Sequence, residues 1–334
     1  GLKIETIHAF CTRVLQSAPF EANVPARFEV ADDLAQDELM RDARRDLLAT
    51  AATDPDGPQA RALRFMAEAT DQKIFDAIMR EALHQRALFN DGQGRARRPE
   101  EMGPGIAAFL GITSELASEE VQQRFCADLA ASAGLPALIA ALLGGSKTQQ
   151  GAGEALKLAS HVAFAGDPLL LCRESLLTAK LELAADVRGR SDKTRLADVE
   201  LATLETLTAR LLRAIEQLNA IAVRERSNAL AVLVTHILAA YQRLKAQRSL
   251  LDYDDLIGKT RSLLDRVDPA WALYKLDAGI DHILLDEAQD TSPEQWAVLR
   301  RLAEEFSAGE GARDQARPRT VFVVGDEKQS IYGF

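Results

Sequence analysis

An aspartate and a glutamate stand side by side at Asp286 and Glu287, directly after the apolar run Ile283-Leu-Leu285 and just before Ala-Gln-Asp290. An apolar run that ends in acid suits a buried parallel strand, and in an open α/β sheet ligands sit off that strand end. There an aspartate can hold the magnesium of a nucleotide, while an adjacent glutamate orients or deprotonates the water that attacks the γ-phosphate. A second apolar run, Val321-Phe-Val-Val324, leads into Gly-Asp-Glu-Lys-Gln-Ser-Ile-Tyr-Gly-Phe334. Gln329 is spaced to touch a phosphate, and Tyr332 and Phe334 offer flat faces to bases. Stacking on unpaired bases is worth roughly 1–3 kcal/mol per base and is indifferent to sequence. Taken alone, the acidic pair has a plainer use, since carboxylates before a helix favour its positive N-terminal end. Gln289 and the second run count against that plainer use.

The elements that would position these groups are mostly helices. A short β-like run over 2–6 leads into an apolar-periodic helix through Phe10, Val14 and Leu15. From about 21 to 226 the chain is rich in Ala, Leu, Arg and Glu. Turn signals interrupt it at Asp54-Pro-Asp-Gly57, Asp91-Gly-Gln-Gly94, Gly103-Pro-Gly105 and Gly166-Asp-Pro168. Leu204, Leu207, Leu211, Ile215, Leu218 and Ala222 recur on one face of a helix predicted over 196–223, a stripe that reads as core or a helix seam. Ser227 or Asn228 is expected to cap the next helix, which carries Leu230, Leu233, Ile237, Tyr241 and Leu244. Asp252, in Leu251-Asp-Tyr-Asp-Asp-Leu-Ile257, suits either helix capping or a functional role. Ser292-Pro-Glu-Gln295 predicts a capping box with proline at the first helical position, and 307–319 reads as a polar loop. Gly144-Gly-Ser-Lys-Thr148 imitates a phosphate loop, but Ser146 and Ala141 occupy the positions where such a loop needs glycine, so it reads as a surface turn.

Composition narrows the class. The 334 residues are enough for two domains, and 47% hydrophobic content with only 5% aromatics favours helical cores. No apolar run approaches the roughly 20 residues needed to span a bilayer, so a soluble, cytoplasmic chain with no membrane partner is expected. Cys11, Cys126 and Cys172 lack metal-ligand spacing and read as reduced thiols. The net charge of −10 argues against bulk electrostatic attraction to DNA. Local basic clusters remain at 41–45, 95–98, 188–195 and 243–248, with solvated helix faces as their plainer reading.

Asp286-Glu-Ala-Gln-Asp290, Gly325-Asp-Glu-Lys-Gln-Ser-Ile-Tyr332 and Thr6-Ile-His-Ala-Phe-Cys11 resemble, in sequence order, motifs of the UvrD/Rep family of superfamily 1 DNA helicases. The forms of the first and last motifs are most similar to the AddA branch, AddAB/RecB-like helicase-nucleases of double-strand break repair. The resemblance implies a mainly α fold with a partial α/β element. Residues 1–20 and 227–334 would belong to an incomplete RecA-like P-loop NTPase motor domain (1A-like), and 21–226 would form an all-helical insertion (1B-like). It implies ATP and magnesium as ligands, with Asp286 on the metal, Glu287 activating water and Gln329 sensing the γ-phosphate. Thr6, His8, Tyr332 and Phe334 would contact nucleic acid, although Ala9 stands where the family motif has serine, and a packed role for His8 stays open. The 252–255 aspartates resemble the acidic motif that precedes the Asp-Glu strand in this family. Implied partners are single-stranded and duplex-end DNA and an AddB-like protein, with 3′ to 5′ movement and a nuclease further along. The chain is then expected to be a piece of a longer protein, without the phosphate-binding loop and inactive alone. An open slot is expected between the strands ending at Asp286 and Gly325. A non-catalytic docking module and an NTPase that never touches nucleic acid are the competing readings, the aromatic pair opposing the latter.

Overall fold

The computed structural model describes residues 4–90, 97–161, 166–189, 195–266, 282–307 and 320–329. Tyr332 and Phe334, and the turn signal at 91–94, lie outside these residues. The chain divides into two compact units, one of residues 1–98 with 232–334 and one of 99–231. Residues 21–98, read from sequence as part of one helical stretch reaching 226, thus fold in the same unit as both chain ends.

In the first unit, α1 (Ile7–Ser17) buries Cys11, Val14 and Leu15. It packs against α12 (Tyr253–Arg266), which in turn packs against α13 (Pro293–Ser307). Cys11, Leu15, Leu256, Leu263, Leu264, Val298 and Leu302 share one core, so residues more than 240 positions apart along the chain bury each other. Among its described residues this unit also holds α2 (Asp33–Thr53), α3 (Pro58–Ala69) and α4 (Gln72–His84). The predicted Asp54–Gly57 turn separates α2 from α3, with Gly57 N–H donating to the Asp54 carbonyl at 3.1 Å.

Two small parallel sheets also lie among the described residues of this unit. Strand β1 (Glu29–Val30) pairs with β2 (Leu250–Leu251). Strand β3 (His282–Leu285) pairs with β4 (Thr320–Val323) in continuous register from His282 opposite Thr320 to Leu285 opposite Val323. This pairing corrects the expected open slot. Hydrogen bonds join the two strands directly and continue past the ladder, with Val324 N–H to the Leu285 carbonyl at 2.8 Å and Ala288 N–H to the Val324 carbonyl at 2.9 Å. The strands are also less buried than their apolar runs suggest. Ile283 packs on the core, but Leu284, on the opposite face of β3, is 70% exposed, and β4 is exposed throughout, with Phe322 at 62%. The β-like run expected over 2–6 is no strand over its described residues 4–6. Ile4 is exposed, and Thr6 is already the N-cap of α1.

The second unit comprises α5 (Pro99–Phe109), α6 (Ser118–Ala130), α7 (Leu135–Leu143), α8 (Lys147–Ala159), α9 (Pro168–Leu176), the short α10 (Ala185–Arg188) and the start of α11 (Asp198–Gln247). Leu204, Leu207, Leu211 and Ile215 sit in its core, as the stripe predicted. Two predicted breaks are absent. Helix α11 is one helix of 50 residues that passes through Ser227 and Asn228. Those residues cost only a few tenths of a kcal/mol each in a helix, and Arg224 is anchored just before them by donating to the Thr113 and Ser114 carbonyls, 3.0 Å each. Helix α5 likewise runs through Gly103-Pro-Gly105. Pro104 lies in its second turn, and the carbonyl that loses a partner belongs to exposed Glu100, where water can replace the bond. The phosphate-loop lookalike is the start of α8, where Ser146 and Gln149 form a reciprocal capping box.

Candidate functional site

Parallel pairing in this register brings the ends of β3 and β4 to the same edge, so Asp286–Asp290 and Gly325–Gln329 become neighbours. Asp286 is exposed at the strand end. Its Oδ1 accepts the Glu287 N–H at 3.0 Å, and its second oxygen takes no hydrogen bond from the described residues. A hard, oxygen-seeking ion such as magnesium fits that free carboxylate oxygen, since it is held by one or two carboxylates together with phosphate oxygens. Glu287 is also exposed, and its backbone is left-handed at φ 51°, ψ 43°. That conformation costs a non-glycine residue roughly 1–2 kcal/mol. Here the bonds that follow impose it: Ala288 N–H to Val324 and Asp290 N–H to the Glu287 carbonyl at 2.9 Å.

The two segments are joined by a side chain the sequence reading did not place in the site. Gln289 is 6% exposed. Its Nε2 donates to the Glu287 carboxylate, and its Oε1 accepts the Asp326 N–H at 3.0 Å. Asp326 in turn accepts the Lys328 N–H at 2.9 Å and the Gln329 side-chain amide at 3.0 Å. Gln329 therefore stands in the same hydrogen-bonded group as Glu287, two side chains away. Gly325 permits this approach. A Cβ added there would lie 2.9 Å from both the Ala288 Cβ and the Gln289 Oε1. Gly325→Ala is expected to destabilise by about 1–3 kcal/mol, the usual cost of forcing an extra carbon into a packed contact. An unchanged urea midpoint would show that the segments separate freely.

Thr6 and His8 occupy the first turn of α1. The Thr6 Oγ1 accepts the Ala9 N–H at 3.2 Å, a helix-capping role that needs no ligand. The His8 ring is half-buried edge-on against Tyr253 of α12, with centroids 4.9 Å apart. Burial lowers its imidazole below the ordinary 6.5, against the upward pull of Asp254.

Behind Tyr253 lies a buried charge cluster. Asp252 does cap α12, its Oδ1 accepting the Asp255 N–H at 2.9 Å. It does more, since its Oδ2 accepts from Lys245 at 2.8 Å, from the Tyr241 hydroxyl at 3.0 Å and from Arg86 at 3.0 Å. Lys245 also reaches Asp255, and Arg86 also reaches Asp254. Burial alone would push the Asp252 carboxyl up, but Lys245 and Arg86 outweigh it and hold it down to about 2. Burial and the facing Asp252 carboxylate raise the Tyr241 hydroxyl. A signal for this cluster was present in the sequence: Lys245 continues the four-residue spacing of Ile237 and Tyr241 on a buried face, where an ammonium must find carboxylates.

The basic clusters at 41–45 and 243–248 are largely engaged with acids. Arg45 pairs with Asp42 at 3.0 Å, Arg243 with Asp46 at 2.9 Å and Arg248 with Asp42 at 3.3 Å. Burial pushes the Cys11 and Cys172 thiols up to about 11 and about 12, and both are free. Two open clefts are lined by none of the site residues. One, of about 470 Å³, borders Ser132, Asp198 and Thr203, and the other, of about 240 Å³, borders Arg261, Arg300 and Glu304. The acidic strand edge remains the candidate, because it joins a free carboxylate oxygen to a strained backbone. No single described helix is long and apolar enough to cross a membrane.

Comparison with known proteins identifies the family. A family model described as the UvrD/REP helicase N-terminal domain matches residues 1–334. The chain is 36% identical over 110 residues to the ATP-dependent DNA helicase UvrD1 of Mycobacterium tuberculosis, covering 33% of this chain and 13% of that protein. Similarity to UvrD1 of Mycobacterium leprae is 38% over 108 residues (31% and 13%). For the ATP-dependent DNA helicase PcrA of Staphylococcus aureus it is 32% over 113 residues (34% and 14%). The aligned residues thus span about a seventh or less of each relative.

Proposed function

The chain belongs to the UvrD/Rep helicase family, and on that footing we propose that it supplies the hydrolytic carboxylates and the adjoining strand-binding segment of an ATP-driven DNA translocase. The observation that carries this reading is the joining of Glu287 to the Asp326–Gln329 turn through Gln289. A carboxylate that serves hydrolysis and a segment leading to base-stacking aromatics then form one hydrogen-bonded body. The first unit, 1–98 with 232–334, is assigned to a RecA-like motor domain of 1A type and the second, 99–231, to a 1B-type helical insertion, which moves the boundaries read from sequence (1–20 and 227–334, with 21–226 inserted). The shared core of α1, α12 and α13 supports the first assignment.

Asp286 would hold magnesium through its unpaired oxygen, and the ion supplies charge neutralisation at the β- and γ-phosphates. Glu287 orients water and takes its proton. Gln329 registers the γ-phosphate and passes its position to Asp326. Thr6 and His8 flank the strand, Thr6 chiefly by shaping the start of α1. Hydrolysis is assigned to a longer protein, because these 334 residues carry no glycine-rich loop with its lysine.

Stacking is tested with Tyr332 and Phe334 both changed to Ala in the full-length protein. Affinity for oligothymidylate is expected to fall by a few kcal/mol at most, from roughly 1–3 kcal/mol per stacked base. Equal affinities across a salt titration would remove the strand-binding role. The forms of Thr6–Cys11 and Gly325–Tyr332 further support an AddA-like member acting in cytoplasmic double-strand break repair, entering at duplex ends beside an AddB-like partner. Unwinding of a 3′-tailed but not a 5′-tailed duplex would support that polarity, and the reverse preference would overturn it.

A further inference from the structure

We propose that Arg86 is a positioning residue: it locks the first turn of α12 so that the paired rings of His8 and Tyr253 present one fixed surface to an unpaired DNA strand. The inference rests on the translocase reading, which sets His8 beside the strand. Arg86 itself lies in none of the motifs that carry the family resemblance.

Arg86 opens a single 3₁₀ turn, Arg86–Phe89, that follows α4. The turn is fixed at both ends. Gln85 N–H donates to the Glu81 carbonyl and Arg97 N–H to the Phe89 carbonyl, 2.8 Å each, and Phe89 is buried. From that base the guanidinium crosses to residues 166 and 168 positions further along the chain. Its Nη1 donates to Asp252 at 3.0 Å and its Nε to Asp254 at 2.6 Å, while its Cζ lies 5.9 Å from the centre of the Tyr241 ring. A planar fork with donors on separate nitrogens spans two carboxylates at fixed angles.

What the fork holds is the turn that carries Tyr253. Asp252 and Asp255 each accept the other's backbone N–H across this turn, at 2.9 and 3.2 Å, and Lys245 bonds both carboxylates from the buried side. Tyr253 and Asp254 lie on its outer side. Tyr253 is 44% exposed and Asp254 is exposed as well, so neither is fixed by burial. Arg86 grips that outer side through Asp254. Because the Tyr253 ring stands edge-on to His8, the orientation of the turn sets the angle at which both rings meet a base.

The experiment measures the affinity of the full-length protein for oligothymidylate at one salt concentration. Wild type is compared with Arg86→Met, Asp254→Asn, Tyr253→Ala and the double variant of Arg86→Met with Tyr253→Ala. Arg86→Met is expected to weaken binding by about fivefold or more, the lower end of what stacking on one base contributes. In the Tyr253→Ala background the same change should alter affinity by less than about twofold, since the ring that Arg86 holds is gone. Losses that multiply would show that Arg86 acts directly on the strand or on the fold at large, and would overturn the proposal. Asp254→Asn separates position from charge. Removing a negative charge by itself favours DNA, whereas losing the ion pair to Arg86 is expected to weaken binding by about threefold or more. Binding as tight as wild type or tighter overturns the proposal. Asp254→Asn also carries the test if Arg86→Met does not fold, because the Asp254 side chain is 70% exposed. Wild type that does not bind the oligonucleotide overturns the translocase reading and this inference together. Normal binding by wild type with no change in Arg86→Met overturns this inference alone.

Discussion

Glu287→Gln in the full-length protein is expected to lower the kcat for ATP hydrolysis by about 10²- to 10⁴-fold, the range set by removal of a positioned general base, while nucleotide affinity changes little. The amide keeps the size and the left-handed backbone of the site but cannot take a proton from water. The loss falls on the transition state more than on the bound ground state. Glu287 is exposed at the strand edge next to Asp286, where solvent reaches it. Turnover within about tenfold of wild type would remove Glu287 from the reaction.

The second large effect is on stability. Lys245 is 1% exposed and Asp252 fully buried. Lys245→Met is expected to destabilise the protein by about 3–5 kcal/mol, the usual cost of breaking one side of a buried ion pair. In the double variant with Asp252→Asn the loss should be smaller than the sum of the two single losses, because the partners act on each other. The same cluster predicts an acid limb. The Asp252 carboxyl is held below its ordinary 3.8, down to about 2. Its contribution is therefore complete above about pH 4 and is lost as pH falls from about 4 through about 2. Urea midpoints taken across that window should slope in wild type and flatten at Asp252→Asn. Equal slopes would show that Asp252 has the same affinity for protons folded and unfolded.

Much of the site could be read along the chain because its signals are local. An apolar run followed by Asp286-Glu287, a glycine-led acidic turn at 325–329 and a Ser292–Gln295 capping box each need only a few adjacent residues to declare themselves. The stripe from Leu204 to Ile215 did the same for the second core, since helical periodicity is written in the residues themselves. Local signals also misled. Ser227-Asn228 and Gly103-Pro-Gly105 have the residue types of breaks, yet α11 and α5 run through them, because a weak local preference yields to anchoring and to solvent that can replace a lost bond.

By itself, then, the sequence determined the helical character of the chain, the acidic strand edge, the carboxylate pair and the resemblance to UvrD/Rep helicases. Tertiary structure alone decided that β3 and β4 are direct neighbours, that Gln289 bridges Glu287 to Asp326, and that Arg86, Tyr241 and Lys245 close around Asp252. The β3–β4, Gln289–Asp326 and Arg86–Asp252 contacts join residues far apart in sequence. Such partners are chosen by closing long loops against chain entropy, and that cost is repaid only by the packed core and the desolvated hydrogen bonds that form when the whole unit folds.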